Sequence, residues 1–119
     1  MRILLDHNVP HGLKPLIPGH DVRTAADEGW SELSNGELLA AAEAFGFECL
    51  VTADKNIEYQ QNVAARRIGL VVLSTNAWPV LKMNLGAISA AIGGASAGSY
   101  FEVLLPRPAL VRRGRPPGL

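Results

Sequence analysis

Residues 48–61, ECLVTADKNIEYQQ, open with the apolar run Cys49-Leu50-Val51 and turn within two residues into Thr52-Ala53-Asp54-Lys55-Asn56, a composition suited to a loop. A short run with no polar alternation has no solvent face, which marks a strand buried inside a sheet. A carboxylate just past the end of such a strand is where open α/β sheets place their chemistry. The chain begins in the same way, since Ile3-Leu4-Leu5 runs directly into Asp6-His7-Asn8. Two such ends, side by side, predict a shared crevice with Asp6 and Asp54 in it.

Between these two strands, residues 20–24 read as another strand, with Val22 as its apolar anchor. A loop over 25–34 carrying Asp27, Glu28 and Trp30 follows, and then a helix. Ser34 or Asn35 caps it, and Glu37 falls in the first turn, where the helix dipole favours an acid. Leu38, Leu39, Ala42 and Phe45 fall on or near one face, and Gly46 stops the helix. A short helix through Leu13, Leu16 and Ile17 is expected earlier, ending near Pro18-Gly19. After the central stretch the reading is a helical segment over 57–66, a strand over 69–73, a helix over 79–92, a small-residue turn over 93–98 and a last strand over 100–105. Alternating strands and helices predict a three-layer α/β/α fold around a mostly parallel sheet of about five strands, joined by right-handed crossovers. Residues 79–92 carry a single charge, Lys82, which predicts that more than one face of that helix is buried.

At 119 residues and 48% hydrophobic, the chain suits one domain over residues 1–106, followed by a basic, Pro/Gly-rich tail over 107–119. The formal charge is zero but unevenly spread. Arg107, Arg112, Arg113 and Arg115 lie in a tail without acids, so residues 1–106 carry seven basic against eleven acidic side chains, a net minus four. That balance argues against a nucleic-acid coat protein. Cys49 is the lone cysteine, so no intrachain disulfide forms, which suits a reducing cytoplasm. The opening MRILLDHN reaches a carboxylate too early for a signal peptide, and no apolar run has the length of a membrane span. The expectation is a soluble, cytoplasmic protein with no membrane partner.

The carboxyl ends of parallel strands bring Asp6, Asn8, Asp54, Lys55, Asn56, Ser74, Thr75 and Asn76 towards one opening, and the first turn of the Ser34 helix adds Asn35 and Glu37. Clustered carboxylates repel one another, and a hard divalent cation such as Mg²⁺ or Mn²⁺ relieves that repulsion. His7, His11 and His20 lack the spacing of a zinc site and read as surface or loop residues. Trp30 and Trp78 flank the expected opening, where packing explains them more simply than base stacking. Gln60, Gln61 and Asn62 form a polar run that suits either RNA binding or hydrogen bonding to the loop backbone. A phosphoacceptor domain is a weaker alternative, because the first strand lacks paired acids and no lysine follows the last.

LLDHNVP at the start, NGELLAAAEAFGF in the middle and LVTADKNIEYQQN after it resemble, in that order, the short PIN-like domains, Rossmann-like relatives of the PIN ribonucleases. Their usual pattern is a first strand ending in Asp, a helix opening with Asp, and a strand followed by Thr-x-Asp-x-Asp. The resemblance covers about residues 1–75. It implies an endoribonuclease that cuts single-stranded RNA with Mg²⁺ or Mn²⁺, often as the toxin beside a small antitoxin. Asp6 matches the first acid and Asp54 the acid after Thr52, while Asn35 and Asn56 stand where further acids are usual. On this reading Asp6, Asp54 and Glu37 are catalytic, Asp6, Asp54 and Asn35 hold the metal, and Asn8, Lys55, Asn56 and Gln60 meet the RNA. The alternative is a weakened domain that binds RNA or protein without cutting. A small antitoxin and a second copy of the chain are the protein partners expected, and residues beyond 78 would carry either contact.

Overall fold

The computed structural model describes residues 1–57 and 63–106. Five strands form one sheet: β1 (Arg2–Leu5), β2 (Asp21–Thr24), β3 (Cys49–Thr52), β4 (Gly69–Leu73) and β5 (Tyr100–Val103). Their order across the sheet is β2-β1-β3-β4-β5 and every pairing is parallel. Every residue of β3 and β4 is buried, as unbroken apolar runs require. The fold is the expected three-layer α/β class.

Alternation along the strands sends side chains into two cores. Ile3, Leu5, Cys49, Val51, Val71, Leu73 and Val103 face one, while Leu4, Leu50, Leu70 and Val72 face the other. The first core is covered by the 3-10 helix His11–Leu16 through Leu13, by Ile17 after it, and by two short helices after β4. The second is covered by α1 (Asn35–Ala44) through Leu38, Leu39 and Ala42, with Ile57 and Val63 beyond β3. Burying each such leucine contributes about 2 kcal/mol.

α1 has well-defined ends. Ser34 is the cap: its hydroxyl accepts from the Glu37 amide, and the Glu37 carboxylate accepts from the Ser34 amide at 2.9 Å. At the other end Gly46 adopts φ 80°, which lets Gly46 and Phe47 donate back to the carbonyls of Glu43 and Ala42. Phe45 is not in the core face; it is 59% exposed and stands edge-on to Trp30, with ring centroids 5.2 Å apart. Trp30 also meets Phe47 at 6.0 Å, so its ring packs against the far end of α1 rather than flanking the crevice.

Three sequence expectations change. The helix expected over 79–92 is two helices, α2 (Trp78–Lys82) and α3 (Leu85–Gly93). The break lies at Asn84, whose side-chain amide donates to the Val80 carbonyl at 2.8 Å, a local bond that competes with the helical ladder. α3 is also not buried on several faces: its exposed positions are Gly86, Ala87, Ala90 and Gly93, so the missing charges are replaced by small residues rather than by a covered surface. Of the helical segment expected over 57–66, Ile57 is helical and Val63–Ala65 form a 3-10 turn, while residues 58–62 lie outside the described residues.

The hand of the crossovers is the third difference. β3 to β4 and β4 to β5 step in the same direction across the sheet, yet the first passes over the Leu50 face and the second over the Val51 face. These two connections therefore have opposite hands, although one hand dominates in parallel sheets. The 3-10 helix is only six residues long and leaves Val71, Leu73 and Val103 bare; Leu81, Ile88, Ala91 and Ile92 cover them by crossing on that side. No helix among the described residues is long and apolar enough to cross a membrane.

Candidate functional site

The strand order reverses at β1. The chain steps from β1 to β2 on one side, then returns to place β3 on the other, so the connections leaving β1 and β3 depart over opposite faces. Such a switch point opens a crevice at the carboxyl ends of the two strands. Asp6 directly follows β1, and Ala53-Asp54 follow Thr52, the last residue of β3, so both acids stand at the carboxyl ends of adjacent strands.

Asp6 is 1% exposed and fully engaged. Its Oδ1 accepts from the His7 amide at 2.7 Å and lies 2.9 Å from His7 Nδ1, and its Oδ2 accepts from the Thr52 hydroxyl at 2.7 Å. Thr52 Oγ1 in turn accepts from the Asp54 amide at 3.1 Å. A single buried hydroxyl thus links the Asp6 carboxylate to the backbone of Asp54. Such bonds to a charged acceptor contribute about 2 kcal/mol each and keep a buried carboxylate tolerable.

Asp54 is half-buried. Its Oδ1 accepts from the Asn56 amide at 2.9 Å, closing a local turn, and its Oδ2 accepts from the Asn35 side-chain amide at 2.7 Å. Asn35 is the first residue of α1, and the Ser34 cap fixes where that turn begins. Capping thereby sets the reach of Asn35 across the crevice.

Asp6, Asp54 and Asn35 are therefore brought together, and Asn8 joins them. The Asn8 Oδ1 accepts from the Ala53 amide at 3.1 Å, Nδ2 lies 3.4 Å from Thr52 Oγ1, and its carbonyl accepts from the Asn76 side chain at 3.0 Å. Lys55 and Asn56 have exposed side chains on the same loop. Glu37 is exposed and spent on the Ser34 cap, where the Ser34 amide and then its hydroxyl hold its carboxyl below the usual range. Gln60, with Gln61 and Asn62, and the tail over 107–119 lie outside the described residues. Ser74 turns away from the crevice, accepting from the Leu105 amide at 2.8 Å.

The chain matches no family model, and no curated protein or solved structure matches it significantly. The residues themselves must carry the chemistry. The oxygens that these residues could offer a cation belong to carboxylates and amides, the hard set that suits Mg²⁺ or Mn²⁺. Among the described residues no group of three or more His, Cys, Asp or Glu side chains is placed to share a metal ion. Asp27, the nearest loop acid in sequence, is engaged elsewhere: the Lys14 ammonium and the Thr24 amide hold its carboxyl down at about 2. Cys49 offers no nucleophile, since burial pushes its thiol up to about 12.

His7 and Thr52 are the residues that sequence reasoning undervalued. His7 lacks zinc spacing, but its position next to a strand-end Asp lets its ring fold back on that carboxylate. Thr52 stands two residues before Asp54, the spacing at which a hydroxyl accepts from a following amide.

Proposed function

We propose that this chain is a PIN-like, divalent-metal-dependent endoribonuclease that cuts single-stranded RNA in the cytoplasm, as the toxin of a toxin–antitoxin pair. The observation that carries this reading is the Thr52 hydroxyl shared between Asp6 and Asp54 at the β1/β3 switch point. A bound Mg²⁺ or Mn²⁺ would lower the pKa of a coordinated water and offset charge on the phosphoryl oxygens. Asp6 and Asp54 would hold it, with the Asn35 amide oxygen completing the protein's share. Thr52 and His7 fix the Asp6 carboxylate, so that it need not reorganise when a cation arrives. Lys55, exposed beside Asp54, supplies positive charge for the RNA backbone. A small antitoxin seated over the crevice would exclude the RNA. The test is cleavage of a single-stranded RNA by the purified protein with Mn²⁺, abolished by chelation; intact RNA under those conditions refutes the enzyme.

One observation favours a second reading, a domain that binds RNA or protein without cutting. Asn35 donates its amide to Asp54 Oδ2, occupying an oxygen that a metal would use, where an acid would add charge. Asn35→Asp separates the two. The extra carboxylate repels Asp54 and lowers the melting temperature without metal, while Mn²⁺ affinity rises on the order of tenfold. Isothermal titration and a thermal melt with and without Mn²⁺ read both signs. Cleavage that appears only in Asn35→Asp establishes the non-cutting reading for the natural chain.

A further inference from the structure

We infer that Asn8 is a positioning residue: it clasps the end of β1 to the end of β3 and thereby sets where Asp6 stands relative to Asp54. This rests on the metal-site reading above and goes beyond it, because Asn8 is assigned to the protein scaffold rather than to RNA.

Three bonds converge on this residue. The side-chain oxygen takes the Ala53 amide at 3.1 Å, in the loop immediately before Asp54. The side-chain nitrogen approaches Thr52 Oγ1, the atom that bonds Asp6 at 2.7 Å and the Asp54 amide at 3.1 Å. The Asn8 carbonyl is held by Asn76 from the loop after β4 at 3.0 Å, which stops the residue from swinging outward. Asp6 also closes the turn on which Asn8 sits, its carbonyl accepting from Val9 at 3.0 Å.

The geometry favours an amide at this position. One atom must accept from a backbone N–H while its neighbour donates towards a hydroxyl, and asparagine offers both from one planar group. An aspartate would accept from Ala53 but could not donate to Thr52. An alanine would do neither. Without the clasp, the loop bearing Asp54 is held to β1 mainly through Thr52 and to α1 through Asn35, and the separation of the two carboxylates is set less tightly. Residues that orient metal-binding groups typically contribute 10- to 100-fold to affinity.

The test uses the full chain and Mn²⁺ alone, with binding read by electron paramagnetic resonance and folding by thermal melting. In Asn8→Ala the Mn²⁺ dissociation constant rises about tenfold, and the Ala53 amide exchanges faster with solvent. Asn76→Ala changes an exposed side chain and frees only the Asn8 carbonyl, so it keeps the fold and weakens Mn²⁺ binding in the same direction. A purely structural Asn8 would lower the melting temperature and leave the dissociation constant alone; that result overturns the inference and spares the metal site. If Asn8→Ala does not fold, an unchanged constant in Asn76→Ala overturns it equally. Failure of the natural chain to bind Mn²⁺ removes the metal-site reading and this inference with it.

Discussion

On the proposed nuclease reading, Asp54→Ala is expected to lower Mn²⁺-dependent cleavage of single-stranded RNA by about a thousandfold and to move the melting temperature by only a few degrees, about 4 °C per kcal/mol for a chain of this size. The two effects separate because Asp54 is half-buried and makes local bonds. Losing its carboxylate removes the acceptors of the Asn56 amide and the Asn35 side chain, at a cost of about 1 kcal/mol. Both donors lie where water can replace the lost acceptor, so folding survives. Charge compensation at the crevice has no such substitute. If Asp6 and Asp54 hold a divalent cation as proposed, removing one would halve the anionic charge that holds it, and the several kcal/mol of transition-state stabilisation that such an ion supplies would weaken with it. The variant also exposes a contaminating nuclease, whose activity would not change. Cleavage at the natural rate by Asp54→Ala is the outcome that defeats the enzyme reading.

How far the sequence reveals this architecture depends on which interaction decides each feature. β1, β3 and β4 are visible because apolar runs with no alternation fit only a buried strand, and their burial agrees with that. The ends of α1 are visible because Ser34, Glu37 and Gly46 act within a few residues of themselves. The break at Asn84 is not, because an asparagine facing solvent reads the same as one donating to the Val80 carbonyl. Nor is the reversed last crossover, which follows from a face left uncovered by a 3-10 helix more than sixty residues earlier in the chain. The candidate site divides along the same line. Asp6 and Asp54 stand out as carboxylates after buried strands, whereas Asn8 reads in the sequence as an RNA contact and shows its bonds to Ala53 and Asn76 only once β3 and β4 are placed beside it. Glu37 shows the opposite failure: its sequence position suits both a cap and a crevice acid, and the cap takes it because Ser34 is only three residues away.

Asp6 is expected to respond differently from Asp54, because its carboxylate is both buried and shared. Asp6→Ala leaves the Thr52 hydroxyl and the His7 amide without their acceptor, inside a site where Thr52 is 0% exposed. Unsatisfied buried donors cost about 1–3 kcal/mol each, so the melting temperature falls by about 10 °C. Asp6→Asn keeps the shape and retains an acceptor for the His7 amide. Its amide nitrogen would then donate to Thr52 Oγ1, reversing that bond, and the threonine proton would turn towards Asn8 Oδ1, 3.5 Å away. The structural loss shrinks to about 1 kcal/mol, yet the negative charge disappears completely. Cleavage and Mn²⁺ affinity therefore fall in Asp6→Asn nearly as far as in Asp6→Ala, while stability falls mainly in the latter. Thermal melts and Mn²⁺ titration on the two variants read the hydrogen bonds and the charge independently. Equal stability in both would mean that Thr52 and His7 find other partners when the carboxylate goes. Unchanged Mn²⁺ affinity in Asp6→Asn would mean that the charge of Asp6 serves the fold alone and that the ion is held without it, which defeats the two-carboxylate site.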